Sequence, residues 1–304
     1  MTITRQADTF CGTVVGEMSE FTYIKTDAQF GEYLARLDAR GVEEIALDIE
    51  GEFNLHVYGE RFCLLQLYDR HEQAVVDPFT VSAGSIKELL ERPDLQKITY
   101  DSPSDRLLLA KAHAIMMNGI VDLKPAVELL AFPKQDLTSV TAATVDQPES
   151  GGKKRFQQYN WVRRPIDHGA IEYALRDVYH LFAIRDVLFD RLRKAGLMDA
   201  YVEENRKRQE RLPDVNRRPG VFRSERYKRM SREQQRTFDR LHEIRERHAQ
   251  ELDLPPNTVV KNDDLFAVVT GRLKPDEIRG NRRVSGSRIR AIAEEFARND
   301  TVKP

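Results

Sequence analysis

Four carboxylates and one tyrosine stand at spacings that would let three separate elements bring them to one point. They are Asp48, Glu50, Asp105, Tyr173 and Asp177. Gathered acidic side chains repel one another, and a fold tolerates such clustering mainly when cations neutralise it. Mg²⁺ and Mn²⁺ prefer hard oxygen ligands, and one carboxylate can bridge two ions. The set therefore predicts a site for two divalent metal ions, Mg²⁺ or Mn²⁺.

The chemistry that such a site could perform is hydrolysis of a phosphodiester. One ion activates a water molecule and the other stabilises the leaving oxygen, with the ions about 3.5 to 4 Å apart. We therefore ask which elements would have to bring these side chains together.

Residues 44–50, EIALDIE, are predicted to form the strand that carries two of the acids. With a period of two, Leu47 and Ile49 share one face, and Asp48 and Glu50 share the other. One alternative is a pair of solvent-facing acids on a half-exposed strand. The apolar character of the segment favours a central strand, where acids need a functional reason.

Asp105 has a structural alternative to metal binding. The SPSD sequence of residues 102–105 fits a capping box, with Ser102 as N-cap and Pro103 as the first helical residue. A helix N-terminus also keeps an acid ionised, so that it can face a metal. Both interpretations stay open from the sequence alone.

Tyr173 and Asp177 lie four residues apart, on one face of a predicted helix. Both side chains could therefore reach the same point. An ordinary amphipathic helix also carries such pairs often, so this spacing by itself indicates little.

The pattern around these residues predicts an α/β domain with a mixed sheet, followed by a helical region. Strands are predicted at residues 44–50, 61–68, 73–76, 97–100 and 119–121. The first three could pair as an antiparallel meander, and a helix over residues 103–113 would connect the last two. One long helix is predicted over about 168–194 from its apolar spacing. Later apolar positions indicate three further helices, at Phe238, Leu241 and Ile244; at Leu265, Val268 and Val269; and at Ile289, Ile292, Ala293 and Phe296.

Length and composition indicate two soluble globular domains. The chain has 304 residues, of which 40% are hydrophobic and 32% charged. No run approaches the about 18 consecutive apolar residues of a membrane span, and the first residues lack the pattern of a signal peptide. Cys11 and Cys63 have neither disulfide-framework nor zinc-site spacing, so both are expected to be reduced thiols, with Cys63 packed inside a strand. We expect a cytoplasmic protein without a membrane partner.

The net charge of −1 hides a basic segment. Residues 206–232 contain eleven Lys and Arg against three acids, a local charge of +8 that leaves −9 for the rest. Such asymmetry suits a polyanionic partner, although a solvated linker would look the same.

A second segment, residues 151–164, interleaves cations with Tyr159 and Trp161, as single-strand binding requires. Its predicted nucleic-acid contacts are Lys153, Lys154, Arg155, Arg163 and Arg164. The alternatives are a flexible surface loop and, for Trp161, packing against the core.

In these motifs and their order the chain resembles the DEDD exonuclease superfamily, and more closely the ribonuclease D family. The matching motifs are LDIE at 47–50, SPSDRLLL at 102–109 and YALRD at 173–177. Further matches are FCLLQLYD, VDLKPA and Trp161 with Arg164-Pro165. The C-terminal part resembles, more weakly, the helicase-and-RNase-D C-terminal (HRDC) module at Leu241, Pro256, residues 259–261, Leu265 and 289–296.

The resemblance implies a ribonuclease-H-like mixed sheet with flanking helices, followed by a small all-α HRDC-like bundle. The domains would be residues 1–205 for the exonuclease, 206–228 for a basic linker and 229–304 for the bundle. The implied activity is 3′-to-5′ hydrolysis of RNA with a free 3′ end, such as a tRNA precursor, to nucleoside monophosphates, with no small-molecule cofactor. A DNA exonuclease and a non-catalytic nucleic-acid-binding scaffold remain alternatives.

The resemblance also implies a role for each site residue. Asp48, Glu50 and Asp177 would hold the ion that carries the attacking water, Asp48 would bridge to the second ion, and Asp105 would contribute directly or through water. Tyr173 would orient that water, which marks the tyrosine subclass, because the histidine subclass would need His where Glu172 stands. Many family members have an acid-Thr-acid-Phe first motif, whereas this chain has Ile49 in place of Thr and Gly51 in place of Phe. The residues that would contact the terminal nucleotide, around 51–56, are therefore not assigned.

Overall fold

The structure, a computed structural model, describes residues 20–145, 156 and 158–299. Contacts divide the chain into two compact units. The first comprises the chain up to Gly51 and Arg61–Val215, and the second comprises Glu52–Glu60 and the chain from Asn216 onward. The division after Val215 falls inside the linker predicted at 206–228.

The first unit is built on a mixed six-stranded sheet in the order β1-β4-β3-β2-β5-β6. β1 runs parallel to β4, β3 antiparallel to β4, and β5 parallel to both β2 and β6. The sequence predicted every strand except β1, which is a short strand. The strands are β1 (Phe21–Ile24), β2 (Glu44–Phe53), β3 (Glu60–Tyr68), β4 (Gln73–Val76), β5 (Gln96–Thr99) and β6 (Ile120–Asp122).

Two hydrophobic cores cover the two faces of this sheet. Leu47 and Ile49 of β2 belong to one core, which also contains Phe30 and Leu109. Ala46 belongs to the other core. Because side chains alternate along a strand, Asp48 and Glu50 point toward the face of Ala46. This confirms the predicted alternation along the strand.

Helices flank both faces of the sheet. They are α1 (Asp27–Ala39), α2 (Ala83–Leu90), α3 (Pro103–His113), α4 (Lys124–Leu129), α5 (Leu137–Val145), α6 (His168–Tyr179), α7 (Leu181–Ala195) and α8 (Met198–Glu210). Residues of α1, α2 and α3 pack in the core with Leu47, and residues of α6 and α7 pack in the core with Ala46. The α6 face therefore covers the side of the sheet that bears the two strand acids.

The prediction of one continuous helix over about 168–194 is wrong in one respect, because the segment forms two helices, α6 and α7, which are separated at His180. His180 has φ −87° and ψ −10°, and it ends one helix and begins the next. Neither proline nor glycine lies at the break. The helical spacing of apolar residues continues across His180, and the sequence therefore predicted a single helix. Residues 206–210 of the predicted linker belong to α8.

The second unit is mainly helical, as predicted. Its helices are α9 (Glu225–Lys228), α10 (Arg232–Leu252), α11 (Pro256–Val259), α12 (Asn262–Val269) and α13 (Gly286–Asn299), with 3₁₀ turns at Gly220–Arg223 and Pro275–Glu277. Ser231 and Gln234 form a reciprocal capping box that starts α10. Phe238, Leu265 and Phe296 meet in its core. In the described ranges, no helix has the length and apolar character needed to cross a membrane.

Candidate active site

The structure brings the four predicted carboxylates into one electrostatic neighbourhood. The pKa of Glu50 is raised well above its ordinary value, first by burial and then by the negative charges of Asp48, Asp177 and Asp105. These residues come from β2, α6 and the first turn of α3. Three elements therefore converge, as the spacing predicted.

Asp48 and Glu50 occupy successive positions on one face of a central strand, the face that α6 covers. Both side chains are half-buried, whereas Leu47 and Ile49 beside them are buried. Burial raises the pKa of Asp48 to about 6, although a hydrogen bond from the Ile49 amide opposes this. The alternative of two solvent-facing acids on a half-exposed strand is wrong, because hydrophobic cores cover both faces of the sheet at this strand and both acids are partly buried.

Asp105 lies in the first turn of α3 and does not serve in a capping box. Such a box would use the Ser102 hydroxyl as an acceptor and the Asp105 carboxylate as the acceptor for the Ser102 amide. Instead, the amide and the hydroxyl of Ser102 both donate to Asp122, at 3.1 and 3.0 Å. Burial and the charges of Asp48, Asp122 and Asp101 raise the pKa of Asp105. The capping interpretation is therefore excluded, and Asp105 belongs to the acidic cluster.

Tyr173 and Asp177 follow one another by one turn on α6. The pKa of Tyr173 is raised by burial and then by the charges of Asp177, Glu50 and Asp48. The phenol therefore lies close to three of the acids and stays protonated at neutral pH. It is suited to donate a hydrogen bond and to hold a water molecule, but not to act as a bulk base.

The donor set fits hard divalent cations, because carboxylate oxygens are the ligands that Mg²⁺ and Mn²⁺ prefer. Bound cations would also neutralise the mutual repulsion among the four acids. Within the described ranges, no group of three or more His, Cys, Asp or Glu side chains is already drawn together tightly enough to hold an ion.

The nucleic-acid contacts predicted in segment 151–164 are only partly accessible to the structure. Lys153, Lys154 and Arg155 lie outside the described residues. Arg163 is exposed to solvent, so its predicted contact stays a prediction. Trp161 is only 4% exposed and packs in the core with Ala46, which confirms its packing interpretation.

Arg164 requires a correction, because every N–H of its guanidinium has an internal acceptor. Nε and one Nη2 hydrogen bond reach Asp77, at 2.7 and 2.9 Å. The others reach the carbonyls of Cys63, Trp161 and Arg163. A guanidinium has five such donors, so a phosphate would have to displace an internal bond. The geometry assigns Arg164 a structural role and does not support the predicted nucleic-acid contact.

Sequence reasoning missed Asp122, which lies inside the VDLKPA match and was given no role. It is fully buried and ends β6. A buried acid at the end of a short apolar strand was the available signal. Asn205 of α8 was missed as well. Its amide oxygen accepts from the Asp122 amide and its amide nitrogen donates to the Ile120 carbonyl, so that it pairs with the β6 backbone.

Comparison with known protein families gives two matches along the chain. Residues 21–193 match the family described as 3′-5′ exonuclease, and residues 234–297 match the HRDC domain. The first match covers more than half of the chain and contains all five predicted site residues. The second spans most of α10, all of α12 and most of α13. The predicted family resemblance is thereby confirmed.

Two relatives and one solved structure illustrate the similarity. The exosome complex component 10 homolog of Caenorhabditis elegans is 29% identical over 160 residues, which cover 52% of this chain and 18% of the relative. Ribonuclease D of Cronobacter turicensis is 26% identical over 240 residues, which cover 77% of this chain and 64% of the relative. The chain thus spans less than two thirds of the length of either relative.

The crystal structure of Escherichia coli RNase D, described as an exoribonuclease involved in structured RNA processing, superposes with a TM-score of 0.68. It is 21% identical, and the match covers 94% of this chain and 76% of that one. At this identity the likeness concerns the fold. The predicted mixed sheet followed by an HRDC-like bundle is confirmed.

Proposed function

Because this chain belongs to the 3′-5′ exonuclease family, we propose that it is a metal-dependent exoribonuclease that releases nucleoside 5′-monophosphates from RNA 3′ ends. One observation carries the proposal: carboxylates of β2, α3 and α6 lie close enough for Asp48, Asp105 and Asp177 to raise the pKa of Glu50, at the positions that the family motifs predict. A cytoplasmic location is part of the proposal and is open to cell fractionation.

The residues present would divide the work as follows. Asp48, Glu50 and Asp177 would hold one divalent ion, and Asp48 with Asp105 would hold the second. When bound, the two ions supply an activated water and stabilise the leaving oxygen. The protonated Tyr173 phenol would orient that water by a hydrogen bond. The half-buried setting of these side chains limits bulk water and strengthens each electrostatic contact.

RNA is favoured over DNA by the relatives, which are named for ribonuclease D and the exosome. Structured RNA with a single-stranded 3′ end, such as a tRNA precursor, is the proposed substrate. The HRDC unit and the basic segment 206–232 would grip the RNA body through its phosphates. A DNA exonuclease is the second candidate, because no motif of the sequence reports contacts to the 2′-hydroxyl.

The structure shows which Lys and Arg side chains of the basic segment already form ion pairs within the protein. Six of its eleven are in ion pairs, namely Arg206, Lys207, Arg208, Arg218, Arg226 and Lys228. The other five, Arg211, Arg217, Arg223, Arg229 and Arg232, are exposed and, within the described ranges, form no ion pair. We propose that these five contact phosphates.

The test uses the full chain and matched 5′-labelled RNA and DNA oligonucleotides in Mg²⁺ or Mn²⁺. Asp48→Asn should abolish mononucleotide release while leaving folding and RNA affinity intact, because it removes the bridging ligand. Tyr173→Phe should lower kcat by about 10²-fold or less without unfolding the chain. Glu43→Gln, a neutralised acid just before the same strand, is the matched control and should match the parent.

Each outcome separates the candidates. Full activity of the Asp48→Asn chain would refute the site assignment, and an unchanged rate for Tyr173→Phe would remove its role. Equal or faster hydrolysis of DNA would favour the DNA exonuclease. Tight RNA binding by the parent chain with no turnover in either metal would indicate a non-catalytic scaffold.

A further inference from the structure

Asp122 is a fully buried carboxylate that accepts three hydrogen bonds from the turn leading into α3 and one from the start of α4. Its Oδ1 accepts from the amides of Asp101 and Lys124, at 2.9 and 3.0 Å. Its Oδ2 accepts from the amide and hydroxyl of Ser102, at 3.1 and 3.0 Å. The side chain is 0% exposed, so these four donors replace its hydration.

The turn that Asp122 holds has an unfavourable backbone conformation. Asp101 has φ +58°, in the left-handed region that few non-glycine residues adopt. Ser102 follows as the N-cap of α3 and makes no side-chain bond to its own helix. Asp105 lies three residues further, in the first turn of α3. The direction of that first turn therefore depends on the bonds to Asp122.

Asp122 and α3 are braced from the other side by α8. Arg208 lies 3.5 Å from Asp122 Oδ2 and 2.8 Å from Glu128. Arg106, the residue after Asp105, is buried and donates to the backbone carbonyls of Arg208 and Gln209 at the end of α8. The start of α3 is thus held between a buried acid and the C-terminus of a neighbouring helix.

We propose that Asp122 is a positioning residue that fixes the first turn of α3 so that the Asp105 carboxylate faces the metal site. This inference rests on the proposed function. Asp122 itself directs its oxygens to backbone and hydroxyl donors, so it acts through Asp105. Partners that orient metal ligands commonly change metal affinity by about 10–100-fold when they are replaced.

Asp122 and Asp101 allow the effect of the turn's geometry on Asp105 to be distinguished from the effect of a nearby negative charge. Asp122 and Asp101 are both negative charges close to Asp105, but only Asp122 accepts the bonds of the turn. Asp101 is exposed, its carboxylate lies 3.7 Å from Arg208, and asparagine tolerates the left-handed backbone conformation well. Asp101→Asn therefore removes a nearby charge and leaves the turn in place, which makes it the matched control.

The experiment measures Mn²⁺ binding to the full chain by calorimetry without RNA, together with kcat and KM for RNA. Asp122→Asn leaves one oxygen for four donors, so we expect the Mn²⁺ dissociation constant to rise about tenfold or more. We also expect kcat at fixed Mn²⁺ to fall while KM for RNA stays within about twofold. Asp101→Asn should bind Mn²⁺ within about twofold of the parent, and Ser102→Ala, which loses one bond to Asp122, should bind about threefold more weakly.

Unchanged Mn²⁺ affinity in Asp122→Asn would overturn the inference, and so would an equal loss in Asp101→Asn, since charge would then explain both. If Asp122→Asn fails to fold, Ser102→Ala decides: parent-like Mn²⁺ affinity in that variant overturns the inference. A parent chain that binds Mn²⁺ but hydrolyses no RNA would refute the proposed function, while the affinity series would still decide the role of Asp122.

Discussion

Replacing Arg164 by methionine should destabilise the first unit without acting directly on RNA binding. The substitution removes both hydrogen bonds to Asp77 and leaves that carboxylate, whose side chain is 5% exposed, without its cation. It also removes the hydrogen bonds that Arg164 donates to the carbonyls of Cys63, Trp161 and Arg163. Methionine retains most of the apolar contact of the arginine stem, so the loss reports mainly on polar partners.

The magnitude follows from what remains around Asp77. Removing one partner of a buried ion pair costs about 3–5 kcal/mol. Asp77 keeps the Tyr23 hydroxyl at 3.2 Å and the Phe79 amide at 3.0 Å, and the Arg164 side chain is 25% exposed. We therefore expect a value near the lower end, about 3 kcal/mol. For a domain of this size that corresponds to a fall in Tm of about 6–12 °C.

Thermal and urea unfolding followed by circular dichroism measure this change, and RNA affinity is measured well below the lowered Tm. Arg163→Met is the control, because Arg163 is the exposed neighbour. It should change stability by less than about 0.5 kcal/mol. An unchanged Tm with weakened RNA binding in Arg164→Met would show that the guanidinium binds RNA, and the structural interpretation would be wrong.

Two further predictions concern acid stability and RNA affinity. Burial raises the pKa of Asp77, but the hydrogen bond and charge of Arg164 and the Phe79 amide lower it below its ordinary value of 3.8. Its stabilising effect is therefore present above about pH 4 and is lost as the pH falls through the lower folded value, so the stability gap between the parent and Asp77→Asn should shrink below about pH 4. A gap that stays constant from pH 7 to pH 3 in urea titrations would contradict this. Arg211→Ser should reduce the slope of log Kd against log salt by about 0.7, whereas Arg206→Ser, whose arginine is paired with Glu203 and Glu210, should change it little; equal slopes in both variants would contradict the proposed phosphate contact.

Local patterns in the sequence were sufficient for the strand that carries Asp48 and Glu50. The alternation around Leu47 and Ile49 identified both faces, since a period of two is imposed by the backbone itself. The start of α3 at Pro103 was equally local, because proline is favoured in the first helical turn. Such features depend on residues within a few positions of each other.

The features that the sequence did not reveal depend on partners far along the chain. Ser102 fits a capping box locally, but Asp122, 20 positions away, takes both of its donors. Arg164 looks like a nucleic-acid contact by composition, but Asp77 lies 87 positions before it. β1 was missed because its four residues gain their stability from parallel pairing with β4.

These long-range partners also explain how the fold keeps an unfavourable cluster of acids. After burial, the charge of Asp48 raises the pKa of both Glu50 and Asp105, and the charge of Asp105 also raises that of Glu50, so in the absence of cations the ionised forms of Glu50 and Asp105 are destabilised. Repulsion of this kind would push Asp105 away if the first turn of α3 could move. A buried acceptor for four donors and a buried arginine anchored to α8 hold that turn on two sides. The contacts that hold the first turn of α3 therefore oppose the repulsion among the acids. Removing one of these contacts should lower the affinity for cations more than it lowers the overall stability of the fold.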